Sequence, residues 1–219
     1  MRRVGIIGGL GAAAGVRMFD LVVREYQRRG AAHDDEFPEI IVHSLASLGL
    51  DEQGIADQAV LRTDLTRSIE MLNTYDVEVI LIACNSAYQD YEHLRSISRA
   101  EVLNMIEITA GVATRSATCI GVISSSSTKS HGLYTTALES RGAKVIQTTK
   151  SQQQIIDNVI AKVIAGKQAY DEQCALIKLI NLMKYQGATE VILGCTELPL
   201  AMPAWCSFID PSIEMVKML

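Results

Sequence analysis

Two of the five cysteines stand in settings that suit proton chemistry. Cys84 follows the apolar run Glu78-Val79-Ile80-Leu81-Ile82-Ala83 and precedes Asn85-Ser86. Cys195 follows Glu190-Val191-Ile192-Leu193-Gly194 and precedes Thr196-Glu197. Each run reads as a buried strand, so each thiol falls just past a carboxyl end, at a turn into a helix. Open α/β sheets bind ligands there. A helix amino terminus favours thiolate over thiol, which predicts a lowered pKa at both places. Asn85, Ser86 and Thr196 add small polar groups, and the exposed backbone N–H groups of such turns suit a carboxylate. Two thiols facing one carbon from opposite sides are the acid and base of a stereoinversion: one removes the proton, the other returns it on the far face. The remaining Cys119, Cys174 and Cys206 read as small core hydrophobes.

The elements that must position the two thiols repeat. Val4-Gly5-Ile6-Ile7-Gly8-Gly9 is a strand and tight loop, with helical spacing through Phe19–Tyr26. Glu39–Leu45 reads as a second strand, Ala56–Asn73 as a helix, and Glu78–Ala83 as a third strand. In the second half Cys119–Ile123 is a strand running into Ser124–Ser127, with a helix through Leu133–Arg141. Lys144–Ile146 is a short strand, Gln153–Ala165 and Tyr170–Tyr185 are helical, and Glu190–Leu193 is the last strand. Val4-Gly5-Ile6-Ile7 answers Ile120-Gly121-Val122-Ile123 at an offset of 116 residues, and Glu78–Leu81 answers Glu190–Leu193 at 112. Buried parallel strands all draw on Val, Ile and Leu, but two ordered landmarks at nearly one offset point to a repeat. The reading is an α/β protein of two pseudo-symmetric, Rossmann-like subdomains with parallel sheets, the active site in the cleft between them.

Composition agrees with a globular core. The 219 residues are 48% hydrophobic and 21% charged, with a net charge of −5. That balance argues against nucleic acid or an anionic membrane surface as partner, and no apolar run approaches the roughly 18 residues that cross a bilayer. An odd number of scattered cysteines without a CxxC pair is neither a disulfide framework nor a zinc site, and a reducing cytoplasmic location follows most simply. Met1-Arg2-Arg3 ahead of Val4–Val16 has the outline of a secretion signal, but the stretch recurs later as a structural element.

Taken together, Ile7-Gly8-Gly9-Leu10-Gly11, Cys84-Asn85-Ser86 and Gly194-Cys195-Thr196-Glu197 resemble the aspartate/glutamate racemase superfamily over essentially the whole chain. The nearest branch is that of the aspartate and broad-specificity amino-acid racemases. Ser125 and Thr128, ahead of Leu133-Tyr134, resemble that family's Thr-x-x-Thr loop. The resemblance implies a racemase that interconverts L- and D-amino acids with no cofactor, neither pyridoxal phosphate nor metal. It makes Cys84 and Cys195 the acid/base pair. Asn85, Ser86 and Thr196 would hold the α-carboxylate or ammonium, and Leu10, Ser125 and Thr128 would line the same pocket. Glu197 would support the second thiol or order its loop. Residues 1–108 with 209–219 would form the first subdomain and 109–208 the second, because Phe208–Leu219 returns to pack on the first. A small amino-acid substrate and a homodimer are implied in the same way.

The chain departs from the family at named positions. Tyr88 stands where the family's Cys-Asn-Thr-x-His has histidine, and a tyrosine does not titrate near neutrality. Aspartate-selective members carry an arginine after the second strand and a lysine in the later helix. Here Leu45-Ala46-Ser47-Leu48-Gly49-Leu50-Asp51 has no arginine, and Lys162, in Ala161-Lys162-Val163-Ile164-Ala165, is out of position. The resemblance therefore carries the reaction class and leaves the substrate's side chain open.

Other chemistries have weaker footing. Gly9-x-Gly11-x-x-x-Gly15 between strand and helix suggests an NAD(P)-dependent oxidoreductase, which expects an acid after the second strand; here that strand ends His43-Ser44-Leu45. A Cys/His hydrolase needs a base near the thiol, and of His33, His43, His93 and His131 only His43 and His131 fall near the predicted site. Ser124–Ser127 reads as a polar loop at the cleft mouth rather than a phosphate nest. A catalytically silent small-ligand binder of the same fold is the alternative outside enzymes, and two matched thiols argue against it.

Overall fold

The computed structural model describes residues 3–51 and 54–219. Strand β1 (Val4–Gly8) is buried along its whole length and leads through Gly9-Leu10-Gly11 into helix α1 (Ala12–Arg28). Ala12-Ala13-Ala14 thus opens a helix, as strong helix formers should. Met1 and Arg2 lie outside the described residues; the apolar stretch after them is β1 and the first turn of α1. The edge strand β2 (Ile40–Ser44) follows, then a two-residue hairpin of β3 (Leu50–Asp51) and β4 (Gly54–Ile55). Helix α2 (Gln58–Thr74) starts at Asp57, whose carboxylate accepts the N–H groups of Ala59 and Val60. Next come β5 (Val79–Ile82), a 3₁₀ turn at Ser86–Asp90, α3 (Tyr91–Ile97), β6 (Glu101–Val102) and α4 (Met105–Ser116).

The second half contains β7 (Cys119–Ser124), α5 (Ser126–Ser130), α6 (Leu133–Glu139), β8 (Lys144–Gln147), α7 (Lys150–Ile164), α8 (Tyr170–Tyr185) and β9 (Glu190–Gly194). A 3₁₀ turn at Leu198–Ala201 and a short helix α9 (Pro211–Val216) complete the chain.

The two sheets are all parallel and share one plan. The first has the order β2-β1-β5-β6 and the second β8-β7-β9. The central strand β1 pairs Val4 with Ile40 on one side and Val79 on the other; β7 pairs Ile120 with Val145 and Glu190. The correspondence of β1 with β7 and β5 with β9 is the one the sequence offsets give. A fourth strand in the second sheet is reduced to a single parallel bridge, Ile209 beside Ile192.

One hydrophobic core runs through the first sheet, α1, α2, α4 and α9 and continues to Ile120, Val122 and Ile192; the other face of the second sheet packs Ile123, Val191 and Leu193 on α7 and α8. The split follows the alternation of side chains along β7 and β9. Helix α9 is tied to the first half: Arg17 Nη2 lies 2.6 Å from Asp210 Oδ2, and Met215 and Val216 enter the first core. Cys119, Cys174 and Cys206 are half-buried rather than buried.

Candidate active site

A cavity of about 450 Å³ opens where the carboxyl ends of both sheets meet. After β1 it is lined by Gly9–Ala12, and after β2 by Ser47 and the hairpin residues Leu50 and Gly54. Cys84 and Ser86 follow β5, and Ser125 follows β7. Helix α7, after β8, contributes Ile160, Ala161 and Ile164, and the turn after β9 contributes Cys195 and Glu197. Both thiols therefore face one space, each just past the end of its symmetry-related strand, and both are buried.

Side-chain contacts join the two halves around this space. Ser86 Oγ lies 3.2 Å from Ser125 Oγ and 2.9 Å from Thr128 Oγ1, and Ser125 in turn lies 3.1 Å from Thr128. Tyr134 donates its hydroxyl to Asn85 Oδ1 at 2.6 Å. Thr196 donates to the Ala83 carbonyl at 3.3 Å and to Glu197 Oε2 at 3.0 Å. Of the residues singled out from the sequence, Leu10, Cys84, Ser86, Ser125, Cys195 and Glu197 line the cavity, while Asn85, Thr128 and Thr196 stand behind them. The amide nitrogen of buried Asn85 has no hydrogen-bond partner among the described residues, since Tyr134 engages only the oxygen.

Glu197 sits behind the second thiol. Its Oε2 accepts from Cys195 Sγ at 3.1 Å, and its Oε1 has no hydrogen-bond partner among the described residues. That oxygen lies against Gly11: a Cβ placed there would fall 1.7 Å away. The glycine loop is equally close elsewhere. A Cβ on Gly9 would be 2.3 Å from the Leu45 carbonyl oxygen, and one on Gly8 2.9 Å from the Gly15 Cα. These close approaches account for the glycines by packing alone.

The electrostatics correct one sequence expectation. Each cysteine is followed by a short 3₁₀ turn rather than an α-helix, and neither thiol is acidified. Burial, reinforced by the Glu197 carboxylate, pushes the Cys84 thiol up to about 12; the backbone N–H groups of Ala87 and Ser86 act in the opposite sense without prevailing. Burial and the same carboxylate raise Cys195 well above the ordinary thiol range. Burial also raises Glu197, against the hydrogen bonds from Cys195 and Thr196. The raised pKa favours the protonated thiol at both positions.

Several other expectations change. His43 turns its Nδ1 to Ser68 Oγ at 3.0 Å, and exposed His131 turns its own to the Ser127 carbonyl at 2.9 Å; neither lines the cavity. Tyr88 is buried away from the site, its hydroxyl 3.3 Å from the Ile82 carbonyl and 3.4 Å from Met215 Sδ. Ser126 begins α5 rather than a loop, and Asp157 occupies that helix start by accepting from Ser126 N and Oγ at 3.2 and 2.5 Å. An anion nest is therefore already filled. Among the described residues, no three metal-ligating side chains converge, and no helix is long and apolar enough to cross a membrane.

Sequence reasoning missed Tyr134, the hairpin residues and the apolar face of α7. Tyr134 packs so closely on Gly194 that a Cβ there would be 2.5 Å from the ring. The Gly before Cys195 was the available signal.

Comparison with known proteins concerns the chain as a whole. A family model described as Asp/Glu/Hydantoin racemase matches residues 7–219. The broad-specificity amino-acid racemase RacX of Bacillus subtilis (strain 168) is 23% identical over 196 residues, covering 89% of this chain and 85% of RacX. A glutamate racemase of Streptococcus pyogenes is 25% identical over 155 residues, 68% of this chain and 56% of that enzyme. Among solved structures, the aspartate racemase of Picrophilus torridus superposes with a TM-score of 0.80 at 21% identity, covering 99% of this chain and 91% of that one. An aspartate racemase homologue from Pyrococcus horikoshii OT3 gives 0.79 at 19% identity, covering 100% and 97%. The chain belongs to the Asp/Glu/Hydantoin racemase family.

Proposed function

We propose that the protein is an amino-acid racemase that works without cofactor, using Cys84 and Cys195 as the two ends of a proton transfer across Cα. One observation carries the reading: two buried thiols line a single cavity, each just past the carboxyl end of a symmetry-related strand. In this reading one sulfur, as thiolate, takes the Cα proton while the other delivers its S–H proton to the opposite face. The α-carboxylate, whose charge grows as the carbanion forms, is met by the hydroxyls of Ser86 and Ser125, supported from behind by Thr128. The raised thiols become reactive when the substrate's ammonium enters, because a nearby positive charge favours thiolate. Glu197, in contact with the Cys195 proton, is the group positioned to relay it. Division of the chain into 1–108 with 209–219, and 109–208, belongs to the same reading, with the substrate held at the junction.

The test is proton NMR of the reduced protein in D₂O with a panel of L- and D-amino acids, read for loss of the Cα–H signal and checked by chiral chromatography. Exchange with inversion supports the reading. No exchange with any acidic, basic, polar or apolar amino acid overturns it.

A further inference from the structure

One wall of the cavity takes no part in the proton chemistry. Ile160, Ala161 and Ile164 present one face of α7 to the space, and Leu10 and Leu50 line it from the first half. Apart from the two thiols, the ionisable group among the described lining residues is the Glu197 carboxylate. Cations on the surrounding elements are engaged elsewhere. Lys162, between Ala161 and Ile164, pairs with Glu172. Lys129 of α5 donates to the Thr148 carbonyl and hydroxyl at 2.5 and 3.1 Å. Arg17 of α1 pairs with Asp210. Residues 51–53, between Leu50 and Gly54, are Asp-Glu-Gln and bring no cation by their types.

We propose that the substrates are α-amino acids with uncharged, apolar side chains, laid against Ile160, Ala161 and Ile164; this rests on the racemase reading. A second carboxylate in this cavity would meet Glu197 and, among the described lining residues, no counter-charge, and an unpaired charge against an apolar wall is disfavoured. An aliphatic side chain instead removes its own surface and that of the isoleucines from water. The cavity volume, about 450 Å³, lies in the range of small-molecule sites.

The experiment compares kcat/KM for exchange in D₂O of L-leucine, L-methionine, L-valine, L-aspartate, L-glutamate, L-lysine and 5-isobutylhydantoin. Leucine or methionine should exceed aspartate and glutamate by about 100-fold, the scale on which an apolar pocket rejects an added polar group. Preference for aspartate, glutamate or lysine overturns the substrate class and leaves the racemase reading standing. Exchange with the hydantoin alone, or with nothing, overturns both. Ile164 is half exposed, so Ile164→Lys is compatible with folding and supplies a cation at this wall. It should raise kcat/KM for aspartate or glutamate about tenfold, as a charge-assisted contact does, and lower it for leucine. A folded Ile164→Lys protein with unchanged selectivity means the side chain does not lie there, and overturns the proposal.

Discussion

Gly11→Ala separates a passive glycine loop from one that seats the carboxylate behind Cys195. Gly11 has φ +94°, where an L side chain is strained by about 1–3 kcal/mol. The new Cβ would fall 1.7 Å from Glu197 Oε1 and 2.8 Å from its Cδ, so the carboxylate must move. Moving it breaks the contacts of Oε2 with Cys195 and Thr196, at 3.1 and 3.0 Å. Hydrogen bonds to a charged group contribute about 1.5–3 kcal/mol each, so two of them together with the strain make a loss of about 4–9 kcal/mol. At about 2–4 °C per kcal/mol for a chain of this size, Tm should drop by about 8–35 °C in scanning calorimetry. Gly142→Ala is the control: its φ is +80° and nothing lies within 4 Å of the added Cβ. Only the left-handed backbone is strained there, at about 1–2 kcal/mol. With the best substrate from the exchange panel, Gly11→Ala should lose about 100-fold in kcat, because a displaced catalytic neighbour costs geometry. KM should change less, since the Ser86 and Ser125 hydroxyls are left in place. A Gly11→Ala protein with the Tm of Gly142→Ala and full kcat refutes the reasoning.

Three further outcomes follow from the same structure. Tyr88→Phe removes two long hydroxyl contacts and nothing in the cavity, so it should leave kcat/KM unchanged and cost about 1 kcal/mol or less in a urea titration; a large activity loss would put Tyr88 back in the chemistry. Glu197 is raised above 4.5 by burial, so above that pH the unfolded chain releases a proton that the folded chain keeps, and stability falls as pH rises toward the folded value. Glu197→Gln should flatten that part of the stability–pH curve while lowering kcat, and equal slopes for the two proteins would contradict the assignment. At pH 8 iodoacetamide should label half-buried Cys119, Cys174 and Cys206 before Cys84 and Cys195, as mapped by peptide mass spectrometry; first labelling of Cys84 would mean its thiol is not raised.

The parts legible in the sequence were those with a physical signature of their own. Buried parallel strands are continuous apolar runs, so β1, β5, β7 and β9 could be read, and the repeated offset set them in two matching sheets. The cysteines followed, because a residue just past such a run must lie at the sheet's carboxyl end. The hairpin β3–β4 and strand β6 are two residues per strand and carry no period to detect. The apolar residues of α7 could not be divided between core and cavity, since Ile156 and Ile160 carry the same periodic signal while only Ile160 lines the site. The thiol pKa was misread for a related reason. Helix-terminus logic counts nearby N–H groups, whereas the outcome is decided by burial and by Glu197, which only the tertiary structure brings near Gly11 and Cys84.

The central claim is that Cys84 and Cys195 work on opposite faces of one carbon. Cys84→Ala and Cys195→Ala should each be given the L and D forms of the best substrate in D₂O, with Cα–H exchange and chirality followed together. Neither variant should invert its substrate. Each should wash deuterium into one enantiomer with retention, and the two variants should choose opposite enantiomers. Inversion by either single-thiol variant at the wild-type rate, or exchange of the same enantiomer by both, would contradict the two-thiol account.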